Sequence, residues 1–216
     1  MTRLLPALLL MVLVFAACGD RTDESAPGHY AMAPEEFERW EIALVEMRIE
    51  KNEEFAVAER TPLRASDLPG FEGLNYSFPN AELRFRTPLV AAPDNERVTL
   101  TKRQGQEVPY VRKGHVAFSH DGKVHELDVF GPAEGDQATL WLPFYDATSG
   151  RETYAGGRYL DLEMDDEGMV DLDFNYAYNP LCDYNPDKFN CTLPPVTNRL
   201  DFAVEAGEKT FAAGSH

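Results

Sequence analysis

The hydrophobic and polar positions of this chain change period once. From Pro34 onward, Phe37, Trp40, Leu44, Met47 and Phe55 recur near helical spacing, which predicts one amphipathic helix ending before Thr61-Pro62. Pro34 suits a first turn, and Glu35 and Glu36 complement the positive end of a helix. The stripe is read as facing a core, with a partner surface as the alternative. From residue 81 the period shortens. Alternating runs at 82–87, 96–102, 108–112, 115–130, 138–145, 158–164, 169–178 and 200–205 are separated by turn residues. No helical segments lie between them, so a parallel α/β sheet is disfavoured. The expected fold is mainly β, an antiparallel sandwich or barrel-like sheet with an N-terminal amphipathic helix.

Two of these runs carry detailed register. Asp121-Gly122 marks a two-residue hairpin turn, pairing His120 with Lys123, Phe118 with His125 and Val116 with Leu127. Alternation then sets His120 and His125 on one face and His115 on the other, opposite Asp128, which excludes a three-histidine zinc centre. His125 shares its face with Val116, Phe118 and Leu127 and is read first as a hydrogen-bonded structural histidine, second as a catalytic base. A second hairpin is expected between 158–164 and 169–178. Matching apolar to apolar puts Tyr159, Asp161 and Glu163 on the side of Asp171, Asp173 and Asn175. Such a face is either well solvated or holds a cation; oxygen ligands from Asp161, Asp171 and Asp173 would select calcium or magnesium over zinc. No other cofactor is expected.

The N-terminus changes where function is sought. Arg3 precedes an apolar run from Leu4 to Val14, then Phe15-Ala16-Ala17-Cys18. The run is too short for a bilayer core of ~30 Å and ends in small residues before a cysteine. Residues 1–17 are therefore expected to be a lipoprotein leader, with Cys18 lipidated and the product anchored to a membrane of the cell envelope. Phe15 stands where such boxes prefer Leu; the alternative is ordinary cleavage near Ala17. Residues 18–32 are polar enough for a flexible tether, and 33–216 have the length of one domain.

The formal charge of −17 sharpens the list of partners. Removing Arg3 with the leader leaves 19 basic against 37 acidic residues. Such a surface repels phosphate backbones, so nucleic-acid binding is excluded. Cys182 and Cys191 bracket the turn-rich DYNPDKFN in a chain expected to be exported, and with Cys18 lipidated they form an even pair. A disulfide is the leading reading. Metal ligation or a cysteine nucleophile would need partners that local spacing does not supply. Gly156-Gly157 lacks the lysine and hydroxyl of a phosphate loop and is expected to supply a positive φ or a bulge. Arg158 opens the apolar side of its strand and needs a partner, either a carboxylate such as Glu152 or the acid group of a ligand.

Between Trp40 and Phe211 the segments GLNY at 73–76, LPFYDATSGRETYAGGRYLDLE at 142–163, DFNYAYNPLCDYNP, CTLPP, NRL and AGEK resemble the bacterial proteins catalogued as domain of unknown function 1684. Thr192 stands where that family has proline and Thr197 where it often has glutamate, so no role is carried to either position. The family has no established reaction. The resemblance implies a shared architecture and a shared site at Asp146, Thr148, Glu152, Tyr154, Arg158, Asp173, Asn175, Tyr178, Asn179 and Asn198.

Three functions follow as expectations. The first is a ligand pocket between the loops 146–158 and 175–198, where Tyr154, Asn175, Tyr178, Asn179 and Asn198 stack and hydrogen-bond and Arg158 anchors an anionic group. The second is a hydrolase-like enzyme pairing His125 with Asp146, Glu152 or Asp173, although neither G-x-S-x-G nor H-E-x-x-H is present. The third is an envelope lipoprotein whose tyrosine-rich loops hold a protein partner.

Overall fold

The structure is a computed structural model that describes residues 32–136 and 138–211, apart from the side chains of 94 and 95. The leader, Cys18 and all but the last residue of the tether lie outside that range. No helix among the described residues is long and apolar enough to cross a membrane.

Helix α1 spans Pro34–Phe55, with proline in the first turn and Glu35 and Glu36 beside it. Its buried residues are Trp40, Leu44, Arg48 and Phe55. Phe37 was expected on that face but is 39% exposed, and Arg48 sits there because its guanidinium donates to the Ser77 and Asn175 carbonyls.

Seven strands follow: β1 Arg84–Pro88, β2 Val90–Thr101, β3 Glu107–His120, β4 Lys123–Pro132, β5 Leu140–Phe144, β6 Arg158–Leu162 and β7 Met169–Asp173. Strands β2-β3-β4-β5-β6 form an antiparallel sheet in chain order, and β1 pairs with β7 in a separate antiparallel ribbon. One core fills the space between them. Phe85 of β1 and Val170 and Leu172 of β7 meet Val116, Phe118, Leu127, Val129, Leu142, Phe144, Leu160 and Leu162 of the larger sheet. Thr87 is fully buried and ties ribbon to sheet by donating from its hydroxyl to the Ala117 carbonyl at 2.6 Å. A second cluster of Phe55, Leu63, Leu74 and Tyr184 seats α1 against the C-terminal segments.

The β3–β4 hairpin has the expected register, with His120 opposite Lys123, Phe118 opposite His125 and His115 opposite Asp128. Asp121 and Gly122 have φ of 49° and 73°, the two positive values that a type I′ turn requires.

The expected hairpin between 158–164 and 169–178 is corrected. Its arms meet only at isolated bridges, Met164–Val170 beside the turn and Tyr159–Tyr178 at the far end; between them β6 runs to β5 and β7 to β1. Arg84 and Arg86 on β1 give Asp171 and Asp173 opposite charges to lie beside, which a pairing with the acids of β6 would deny them. Residues 200–205 form no strand; they run beside 145–147 through backbone bonds from Leu200 to Tyr145 and from Ala147 to Phe202, and Arg158 takes the Val204 carbonyl. Cys182 and Cys191 are joined as a disulfide with 5.9 Å between Cα atoms. It staples the short helix α2, Leu181–Tyr184, to the strand-like 191–193 segment, where Leu193 donates to the Thr101 carbonyl.

Candidate functional site

Arg158 was expected to open the buried side of its strand and to anchor an anionic group of a ligand. The structure buries it completely, because alternation along β6 turns it inward with Leu160 and Leu162. Its Nη2 donates to Asp146 Oδ2 at 2.8 Å and to the Val204 carbonyl at 2.8 Å. Its Nη1 reaches the carbonyls of Ala206 and Glu208. Burial pulls the guanidinium pKa down and the Asp146 charge opposes it. The other Asp146 oxygen accepts from Thr148 N and its hydroxyl and from Val204 N. This corrects two expectations: the carboxylate partner is Asp146, not Glu152, and Arg158 lines none of the cavities described below. The pair fastens the C-terminal segment to the sheet. Gly157 beside it has φ +82°, and a Cβ there would lie 2.6 Å from Pro194 and 2.7 Å from the Phe144 carbonyl, so glycine is required.

Asn175 and Asn198 are likewise consumed by the fold. Asn175 accepts from Asn80 N and donates to Asn80 O and Asp173. Asn198 accepts from Asp128 N and donates to the Asp128 and Pro143 carbonyls. Tyr154 is buried, its ring close against Gly156.

The acidic residues separate into two settings. Asp161, Asp171 and Asp173 line a cavity of about 550 Å³ with Trp40, Arg84, Arg86 and Tyr176. There Asp173 accepts from Trp40 Nε1 at 2.7 Å, and Arg84 and Arg86 lie beside Asp171. Burial holds the Asp173 carboxyl above its ordinary range despite bonds from Asn175 and Trp40. Arginines thus occupy the place considered for a cation, and no group of three or more His, Cys, Asp or Glu converges as a metal site among the described residues. Glu152 is exposed and lines a separate depression of about 380 Å³ with Thr148, Thr153 and Lys209. His125 stacks on Phe118 and meets Phe202, and its Nδ1 lies 3.8 Å from Asp201. His125, Asp146, Glu152 and Asp173 therefore share no cleft.

What converges is aromatic. Between Arg112 and Gly114 the β3–β4 register shifts by one residue. That bulge turns Tyr110 to the outer face of the sheet, away from the core that Val116 and Phe118 enter. Trp141 lies opposite Phe130 and Asp161, and Tyr159 precedes Asp161 by two, so all share this outer face. Tyr178 joins it by a two-bond bridge to Tyr159. The rings form a wall: Tyr110 stacks on Trp141 at 5.2 Å, Trp141 meets Tyr159 edge-on at 4.8 Å, and Tyr159 meets Tyr178 edge-on at 5.8 Å. These are the offset and perpendicular arrangements that ring quadrupoles favour.

The wall faces a cleft of about 640 Å³ that the disulfide loop closes on the other side, with Asn179, Pro180, Leu181, Asn190, Cys191 and Thr192. Helix α1 supplies Lys51, whose Nζ lies 5.4–5.9 Å over the rings of Phe55, Tyr178 and Tyr184 and pairs with the buried Glu208. Glu208 also accepts from the Tyr184 hydroxyl and Asn179 N. Tyr178 donates to Asp161 at 3.0 Å. Burial, more than the neighbouring acid, raises the Tyr178 and Tyr184 phenols well above their ordinary range, so both remain donors at any physiological pH. Asp161 is itself raised by partial burial, with the Tyr178 bond opposing.

Of the expected ligand residues, Tyr178 and Asn179 reach this cleft, while Tyr154, Arg158, Asn175 and Asn198 do not. Lys51, Tyr110 and Trp141 were missed. An aromatic at an outward strand position was a usable signal for Trp141; Tyr110 needed the bulge, and nothing local marks Lys51.

Fold and cleft together define a two-sheet antiparallel β protein with an aromatic recess on the outer face of its larger sheet. The chain belongs to the family described as protein of unknown function (DUF1684), whose model matches residues 69–209. That match begins after α1, so Lys51 lies outside it. A solution NMR structure of an uncharacterised protein of Haloarcula marismortui is similar, with 34% identity and a TM-score of 0.66. The alignment covers 85% of this chain and all of that one. No curated protein matches.

Proposed function

We propose that this is an exported, lipid-anchored binding protein that takes a small organic ligand into the aromatic cleft. The observation that carries the binding reading is the wall Tyr110–Trp141–Tyr159–Tyr178 facing about 640 Å³ of open space. Small-molecule sites have volumes of roughly 300–1,000 Å³, mostly apolar walls and a few placed polar groups. Trp141 and Tyr178 are half-buried, so part of each ring stays open toward the cleft that both line. The address rests on the Leu4–Val14 run, the small residues before Cys18 and the polar segment after it.

A thermal-shift screen of metabolites, with Trp141→Ala as control, tests the binding reading. A ligand at ~100 times its Kd stabilises by about 2.7 kcal/mol, which for a domain of this size raises Tm by about 5–10 °C. The shift should vanish in Trp141→Ala. A screen without hits, or hits unchanged in that variant, refutes the site. Labelling with palmitate and its loss in Cys18→Ala tests the anchor.

A further inference from the structure

We infer that the ligand of the aromatic cleft is a saccharide; this rests on the reading of the cleft as a binding site and specifies it. A sugar ring offers polarised C–H groups on its faces and hydroxyl donors and acceptors around its rim. The cleft offers the complement of each. Trp141 and Tyr178 are half-buried, and the part of each ring left uncovered by Tyr110 and Lys51 suits C–H groups, because ring faces carry the negative side of the quadrupole.

The rim is mixed in sign and character. Asp161 accepts one bond from Tyr178 and has no other side-chain partner among the described residues, and Lys102 lines the cleft as a donor. Asn179 adds a constraint of its own. It is buried, and its two amide protons are directed to Asp183 Oδ2 and the Lys209 carbonyl, both at 2.8 Å. That fixes the amide orientation and leaves Oδ1 without a partner. An orphaned buried acceptor is costly, and because Oδ1 is closed to solvent in the unliganded protein, a hydroxyl donor relieves it only where the cleft wall gives.

The same groups exclude the other ligand classes. An organic cation would enter a space where Lys51 already lies over the rings of Phe55, Tyr178 and Tyr184 and where Lys102 adds a like charge. An anion would meet Asp161, with Lys51 already neutralised by Glu208. A purely apolar ligand would leave Asn179 Oδ1 unfilled and cover the Asp161 carboxylate with the Tyr178 hydroxyl as its one side-chain donor.

A glycan array probed with the full-length protein, followed by calorimetric titration of any hit, tests the inference. At least one neutral glycan should bind, binding should be lost in Trp141→Ala, and Asp161→Asn and Lys102→Met should each weaken it about tenfold. Both rim variants should keep the Tm of the unliganded protein. Tetramethylammonium and indole-3-acetate serve as the cationic and anionic comparators. A blank array overturns the saccharide assignment, as does glycan binding that survives Trp141→Ala. If the array is blank but a comparator or a metabolite binds and is lost in Trp141→Ala, the ligand class fails and the cleft stands. If nothing binds in either experiment, both fail.

Discussion

Replacing Asp146 by Asn removes one charge from the centre of the molecule while keeping the shape of the side chain. Asp146 and Arg158 are enclosed, with side-chain exposures of 1% and 0% and a 2.8 Å contact. Removing one member of a buried pair typically costs about 3–5 kcal/mol, because the other charge stays desolvated. Here Arg158 keeps the carbonyls of Val204, Ala206 and Glu208, and Asn can still accept from Thr148. The loss should therefore sit near the low end, about 3 kcal/mol of a total that for such domains is roughly 5–15 kcal/mol. Urea unfolding at pH 7 measures it. Arg158→Met should cost more, since it strands three buried carbonyls at about 1 kcal/mol or more each as well as the carboxylate. In the double variant the two losses should fall short of their sum by about 2 kcal/mol, as expected for contacting residues. An Asp146→Asn loss below about 1 kcal/mol, or strict additivity, would refute the account of Arg158 as the clasp of the C-terminal segment.

Three further outcomes follow from the same geometry. Replacing Cys182 and Cys191 by Ser opens a loop of about ten residues and should lower stability by about 2.7 kcal/mol on the chain-entropy model, read as a shift in the urea midpoint. Gly157→Ala must adopt φ +82° and meet Pro194 and the Phe144 carbonyl, so it should cost about 2–3 kcal/mol; a neutral result would contradict the local backbone. Burial raises the Asp173 carboxyl, so the folded state holds that proton to higher pH than the unfolded chain does. Its contribution is therefore greatest below the ordinary carboxylate range and is lost as pH rises through the raised value. Asp173→Asn should remove that downward slope from the pH–stability curve, and an unchanged slope would show the group to be unperturbed.

Local chemistry made the β3–β4 hairpin legible as far as the bulge at Lys113, because Asp121-Gly122 fixes the turn and a two-residue turn fixes every pair from there to Gly114–Val129. The disulfide was legible for a similar reason, a short turn-rich loop between an even pair of cysteines. Arg158 was legible as a buried cation needing a partner, but not the identity of that partner. Asp146 comes to it through a loop, which periodicity does not describe. The β6–β7 error has one cause. The turn at 165–168 is local and real, yet Arg84 and Arg86, some 80 residues away in sequence, draw β7 to another strand. The cleft was half legible. Tyr178 and Asn179 lie in a dense motif, whereas Tyr110 depends on a bulge and Lys51 on where a helix docks, and both are set by tertiary structure.

The two tryptophans provide the most direct test of the central claim, since Trp141 is in the aromatic wall and Trp40 is buried against Asp173 beside the other cavity. Their indole N–H signals in a 15N-resolved NMR spectrum can be followed while ligand is titrated. The account predicts that the Trp141 signal moves in a saturable way and the Trp40 signal stays in place. A ligand that moves Trp40 alone, or binds without moving either, would contradict it.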